Sequence, residues 1–183
     1  MIELVPVAIR SHLIPFFYEE MEGTTASYDG QKVKMIRLLP ASSLANYIYT
    51  QIGYEKKQVN SEPYDNFLLY LSIQTKSICT LTGIVYIDKK GVKSELKMPL
   101  SKVRDFNNLL EDIFRTSLVY FVDGYYYGCK NKKRGMELFV EKYNLDEYGF
   151  DYFTIKKIYY DQKKKKLCKR FQTRSTNQVT NYY

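Results

Sequence analysis

The chain has no tryptophan and one histidine, His12. A histidine-based triad would have to be built on that single residue, and no G-x-S-x-G segment accompanies it, so nucleophilic hydrolysis of that kind has no support. The three cysteines, Cys79, Cys129 and Cys168, are far apart and form no C-x-x-C pair. A Cys/His zinc site draws about four ligands at clustered spacing, which this set does not offer. No metal site and no cofactor is therefore expected, and scattered thiols without a disulfide framework fit a reducing, cytoplasmic environment. No run of about eighteen apolar residues occurs, so no transmembrane helix is expected. The opening segment "MIELVPVAIRSHLIPFFYEE" has Glu3 before any basic residue and is interrupted by Pro6 and Pro15, which argues against a signal peptide.

What is present is a globular composition, with 45% apolar and 26% charged residues over 183 positions. A domain of about 150 residues buries roughly two-thirds of its unfolded surface, enough for a core without disulfides or metals. Nineteen tyrosines and ten phenylalanines make it rich in aromatics. Lysine outnumbers arginine 21 to 7, and codon bias in an A/T-rich genome accounts for both excesses as readily as function does. The placement of charge is more informative. Residues 1–128 carry 14 Lys and Arg against 14 Asp and Glu, whereas residues 129–183 carry 14 against 6, so the whole net charge of +8 lies in the last part. The division expected is an α+β core domain over 1–128 and a basic, Tyr-rich helical extension with a C-terminal arm over 129–183. Such asymmetry points to an anionic partner for the basic part, or to a lysine-rich solvated surface.

Along the chain, residues 4–10 and 13–20 read as short strands. Asp29-Gly30 is a tight-turn signal, because that dipeptide accepts the positive φ a hairpin needs. Residues 32–39 alternate as a strand and Pro40 stops them. A helix capped by Ser42 or Ser43 follows, with Leu44, Tyr47, Ile48 and Ile52 as its apolar stripe and Gly53 at its end. Residues 54–64 read as a loop. Residues 66–74, 79–88 and 92–98 read as strands, the last two joined by "DKKG". After Pro99, Ser101 caps a helix whose stripe is Val103, Phe106, Leu109, Leu110, Ile113 and Phe114. Residues 118–122 are apolar all round and thus buried, and the helix is expected to end near Gly124 to Gly128. Residues 136–143 form a short helix with Leu138, Phe139 and Tyr143 inward. After the turn "NLDEYGF", Asp151 caps a last helix running to about Lys164. "FQTRSTNQVTNYY" closes the chain without periodicity. The fold class is α+β: a mainly antiparallel sheet with one long packing helix, followed by a small basic helical C-terminal unit.

The segment "YYDQKKKKLCKRF" (159–171) concentrates the basic charge. On a helix turning about 100° per residue, with Lys156 at zero, Lys163 falls near −20°, Tyr160 near 40°, Lys164 near 80° and Lys157 near 100°. Four lysines surround one tyrosine, while Ile155, Ile158 and Tyr159 face the other way. An apolar back with a lysine face is what phosphate-backbone contact needs, and Tyr160 is placed to stack on a base or to hydrogen-bond a phosphate. Four phosphate contacts imply a salt slope of roughly −3 to −4 on duplex DNA. Lys132, Lys133 and Arg134 form a second patch. An ordinary amphipathic surface helix explains the same pattern without a ligand. The expected connection of about seven residues is longer than the three or four of a helix-turn-helix. Lysines without arginine forks favour backbone binding over base readout.

The leading expectation is a non-enzymatic nucleic-acid-binding protein, DNA or RNA, of the kind a phage or mobile element carries. One alternative is a structural or assembly protein of a phage-like particle, forming a homo-oligomer through its C-terminal arm. Another rests on Asp88, Glu95 and Lys97: a carboxylate followed by Glu-x-Lys on adjacent strands resembles the metal-binding core of restriction-type nucleases, which implies a divalent ion and a lysine assisting the attacking water. Strand alternation also places Lys93, Glu95 and Lys97 on one face, where cross-strand ion pairs account for them without chemistry. Glu19, Glu20 and Glu22 read as a solvated loop entry. The lysine cluster lacks the strong apolar moment that membrane-surface binding needs, so no membrane partner is expected.

Overall fold

The computed structural model describes residues 2–28, 30–39, 42–51, 53–55, 68–74, 81–82, 85–87, 93–98 and 100–165. The chain divides into two compact units, Met1–Leu110 and Glu111–Tyr183. The first is α+β and the second is helical.

The first unit contains a four-stranded mixed sheet in the order β1-β5-β3-β2, formed by β1 (Ile2–Ala8), β2 (Thr24–Tyr28), β3 (Gln31–Arg37) and β5 (Leu68–Gln74). β1 and β5 pair antiparallel, as do β2 and β3, while β3 and β5 run parallel. Register explains the core. Val5 faces Leu71 and Val7 faces Leu69, and Ile36 also pairs with Leu71, so buried positions meet buried positions across the ladder. A one-residue slip would turn each of them to the opposite side of the sheet. β2 and β3 pair as far as Tyr28 opposite Gln31, and Gly30 beside them takes φ 74, the conformation the turn signal called for, while Asp29 lies outside the described residues. A smaller antiparallel sheet has the order β4-β8-β7-β6, from β4 (Gly53–Glu55), β6 (Leu81–Thr82), β7 (Val85–Ile87) and β8 (Lys93–Lys97).

Several sequence readings need correction. Ser101 lies inside the long helix Leu100–Cys129 instead of capping it, and the helix expected over 136–143 begins at Lys132. Three further readings concern the first helix and the strands. Residues 13–20 form a helix, α1 (Leu13–Glu20), instead of a strand. Its buried residues are Leu13, Ile14, Phe16 and Phe17. A strand would send Phe16 and Phe17 to opposite faces, whereas a helix gathers all four in one arc. Pro15 is tolerated because it sits in the first turn, where the backbone N–H has no intrahelical acceptor. Gly23, just beyond α1, donates its N–H to the Tyr18 carbonyl at 2.7 Å, and a Cβ there would run into the Tyr18 ring. The single strand expected over 79–88 is two short strands, since β6 and β7 pair with each other, Thr82 opposite Val85. The loop expected from residue 54 starts instead as β4, antiparallel to β8.

Helix α2 (Ser43–Gln51) begins where the Ser42 hydroxyl accepts the Ala45 N–H at 3.1 Å, the expected cap. It buries Ala45 and Ile48. The long helix α3 (Leu100–Cys129) has 30 residues. Its first part turns Val103, Phe106 and Leu110 inward. Asn107 lies on that inward side. Its Oδ1 accepts the Arg10 N–H at 2.9 Å, and its Nδ2 donates to the carbonyls of Ala8 at 3.0 Å and Val103 at 2.9 Å. The polar groups left where β1 ends are thereby satisfied by one buried side chain.

In the second unit, the rest of α3 carries Phe114, Leu118, Val119 and Val122 in its buried stripe. α4 (Lys132–Tyr143) and α5 (Tyr152–Lys165) pack on it, joined by a short 3-10 helix at Leu145–Tyr148. Asn131 caps α4 by accepting the Arg134 N–H at 3.0 Å, and Asn144 ends it at φ 49. Phe139 is the hub of the core, edge-on to Phe114 (5.6 Å), Phe121 (5.5 Å) and Tyr143 (4.8 Å). Aromatic pairs prefer this edge-to-face arrangement, which adds to their area burial.

Candidate functional site

α5 is the element on which the basic face was expected, and its start is built as the sequence implies. Asp151 Oδ1 accepts the Thr154 N–H at 2.8 Å, and that bond holds the Asp151 carboxyl below its ordinary range. The helix then buries Ile155, Tyr159 and Gln162, with Ile158 half-buried. Its outer side exposes Phe153, Lys156, Lys157, Tyr160, Asp161, Lys163 and Lys164.

The lysines of this face divide by partner. Lys163 lies at its edge, four residues beyond Tyr159, and both reach the same carboxylate on α3: Lys163 Nζ is 2.7 Å from Asp123 Oδ2, and the Tyr159 hydroxyl donates to Oδ1 at 2.6 Å. Burial pushes Asp123 up, but the hydrogen bonds from Lys163 and Tyr159 and the charges of Lys163 and Lys132 outweigh it and hold the carboxyl low. Burial and the bond to Asp123 push the Tyr159 phenol well up. Lys163 is thus an internal tie of the helical unit. Lys156, Lys157 and Lys164 are exposed and form no ion pair among the described residues.

The second patch is largely neutralised by its own helix. Arg134 holds Glu141 at 2.8 and 3.3 Å and lies 3.6 Å from Glu137, which Lys133 approaches at 3.7 Å. Lys132 sits over the Tyr126 ring at 4.8 Å and near that of Tyr159 at 6.0 Å. Lys133 still belongs to the neighbourhood of α5: its ammonium and that of Lys156 each lie 5.9 Å from the Tyr152 ring.

Phe153 escaped the sequence reading. The residue is 72% exposed, against 49% for Tyr160. On the same wheel it falls near 60°, between Tyr160 and Lys164. The signal was legible as the doublets "YF" and "YY" seven residues apart on α5.

The remaining sequence candidates fall elsewhere. Asp88 lies outside the described residues. Glu95 and Lys97 are on β8, with their side chains also outside them. Among the described residues no group of three or more His, Cys, Asp or Glu is placed to hold a metal ion. His12 is buried just before α1, and the C-terminal arm lies outside the described residues. The 3-10 helix between α4 and α5 makes that connection longer than a helix-turn-helix allows. No described helix is long and apolar enough to cross a membrane. No family model matches the chain, and no curated protein or solved structure matches it either.

Proposed function

We propose that the protein is a non-enzymatic nucleic-acid-binding protein that contacts the phosphate backbone through the outer face of α5. One observation carries the reading: Lys156, Lys157 and Lys164 surround Tyr160 on one exposed face without an ion-pair partner among the described residues. Unpaired ammonium groups on a rigid element give up little on meeting a phosphate, and the release of condensed counterions drives the association. Lysine supplies point charge without the planar fork that reads guanine, so the binding follows backbone more than sequence.

The test is a titration of the full chain with single-stranded and duplex oligonucleotides at several salt concentrations. With Lys163 committed to Asp123, three lysines remain, and the salt slope becomes about −3 on duplex and about −2 on single strands. The combined variant Lys156→Glu, Lys157→Glu, Lys164→Glu abolishes binding while the far-ultraviolet circular dichroism stays unchanged. Absence of binding by the wild-type chain at low salt would sink the reading.

A further inference from the structure

α5 carries the same two-residue unit twice. Tyr152-Phe153 and Tyr159-Tyr160 lie seven residues apart, two turns and about 10 Å along the axis. In each pair the first ring turns inward and the second outward. Tyr159 is fully buried and Tyr152 half-buried, whereas Phe153 and Tyr160 are exposed. In each pair the two rings meet edge to face, at 5.4 Å and 68° for the first and 5.2 Å and 80° for the second. Such a contact restricts the outer ring by bracing it against an inner one, so little side-chain entropy remains to be lost on binding.

Between and beside the two outer rings stand the ammonium groups of Lys156, Lys157 and Lys164, which form no ion pair among the described residues. Phe153 and Tyr160 fall within about 20° of each other on the wheel, with Lys156 on one side and Lys164 and Lys157 on the other. On α5 itself the exposed carboxylate is that of Asp161, at about 140°, beyond Lys157 from the two rings. Duplex phosphates would be served by the lysines alone, since paired and stacked bases offer no free face to a ring. A single strand offers both phosphates and open base faces, and base-on-ring stacking is the usual companion of a cationic track. The ring separation is about three times the ~3.4 Å stacked rise of a duplex strand, so the two rings suit bases of an opened strand with nucleotides between them.

We infer that the ligand of this face is single-stranded nucleic acid, with Phe153 and Tyr160 each stacking one base while Lys156, Lys157 and Lys164 hold the phosphates around them. This rests on the nucleic-acid reading above and adds the strandedness of the ligand and the role of Phe153.

The experiment measures binding of the full chain to labelled oligo-dT, oligo-rU and a mixed-sequence duplex of equal length. Both single strands, or one of them, bind more tightly than the duplex at the same salt, and the tighter of the two identifies the sugar. Phe153→Ala and Tyr160→Ala each weaken single-strand binding about tenfold and leave the duplex unchanged. Phe153→Leu, which keeps apolar bulk without a π-face, loses the same factor, while Phe153→Trp retains binding. Because the chain has no tryptophan, Phe153→Trp also introduces a unique fluorophore, and stacking quenches it as strand is added. If the triple lysine variant loses all three ligands while Phe153→Ala and Tyr160→Ala bind like wild type, the phosphate reading stands and this inference falls. Equal affinity for duplex, or an unquenched tryptophan in a saturated complex, overturns it as well. If the wild-type chain binds none of the three ligands, both readings fall.

Discussion

The Tyr159 hydroxyl donates to Asp123 Oδ1 at 2.6 Å, joining the buried side of α5 to α3 across thirty-six positions of sequence. Lys163 takes the other oxygen of the same carboxylate. Tyr159→Phe keeps the ring and removes the donor, leaving Asp123 with Lys163 and whatever water reaches it. A hydrogen bond to a charged acceptor contributes about 1.5–3 kcal/mol. Urea unfolding of the variant is expected to show a loss of that order with an unchanged m-value.

The lysines of α5 separate into two kinds under charge reversal. Lys163→Glu sets a second carboxylate against Asp123 and lowers the thermal midpoint. Lys156→Glu, Lys157→Glu and Lys164→Glu leave the midpoint within error, since they break no ion pair among the described residues. Lys163→Ala costs at most about 1 kcal/mol, because the pair is partly solvated. Thermal melts of the four single Glu variants side by side check the division, and equal shifts would refute it.

Stability depends on pH through the same network. Asp123 and Asp151 are both held below the ordinary carboxylate range in the folded chain. A depressed folded-state value means that their contribution is complete above the unfolded value of about 3.9 and drains away as pH falls through the folded one. Tyr159 is shifted the other way. Its contribution is complete below the unfolded phenol value of about 10 and declines as pH rises beyond it. Melting temperatures from pH 2 to 5 should fall less steeply in Asp123→Asn than in wild type. On the alkaline side, Tyr159→Phe should flatten the decline above pH ~10.

Asn107 is the corresponding tie in the first unit. Asn107→Leu removes the acceptor of the Arg10 N–H and the donor to the Ala8 carbonyl, leaving main-chain groups at the end of β1 without their partner. A buried group left unsatisfied costs about 1–3 kcal/mol. Asn107→Asp retains the acceptor and loses the donors, so its destabilisation should be pH-dependent where that of Asn107→Leu is not. Hydrogen exchange at the Arg10 amide is the local readout, and it should accelerate in Asn107→Leu.

Phe114 is fully buried and meets Phe139 and Phe150 edge to face. Phe114→Ala opens a cavity in the helical unit and is expected to cost about 3–5 kcal/mol. Chemical denaturation monitored by circular dichroism at helical wavelengths measures it. A loss below about 1 kcal/mol would mean that the surrounding aromatics collapse into the space.

Much of the molecule follows from interactions that reach only three or four residues along the chain, and those are legible in the sequence. The Asp151 and Ser42 caps are of this kind. So are the Gly30 turn, the Phe106-Leu110-Phe114 stripe and the exposure of Lys156, Lys157 and Lys164 opposite a buried Ile155 and Tyr159. Local period also misled. Residues 13–20 read as a strand because Pro15 and a dense apolar run obscure the helical arc, and burial of Leu13, Ile14, Phe16 and Phe17 together made them α1. Tertiary structure alone decided which polar groups are already spoken for. Lys163 and Lys164 are neighbours of one type, yet only Lys163 finds Asp123, forty positions away. Nothing within a turn of Asn107 announces that Ala8 and Arg10 will need it. A sequence records which groups can bond, but which of them still have a bond to offer depends on what the folded chain brings beside them.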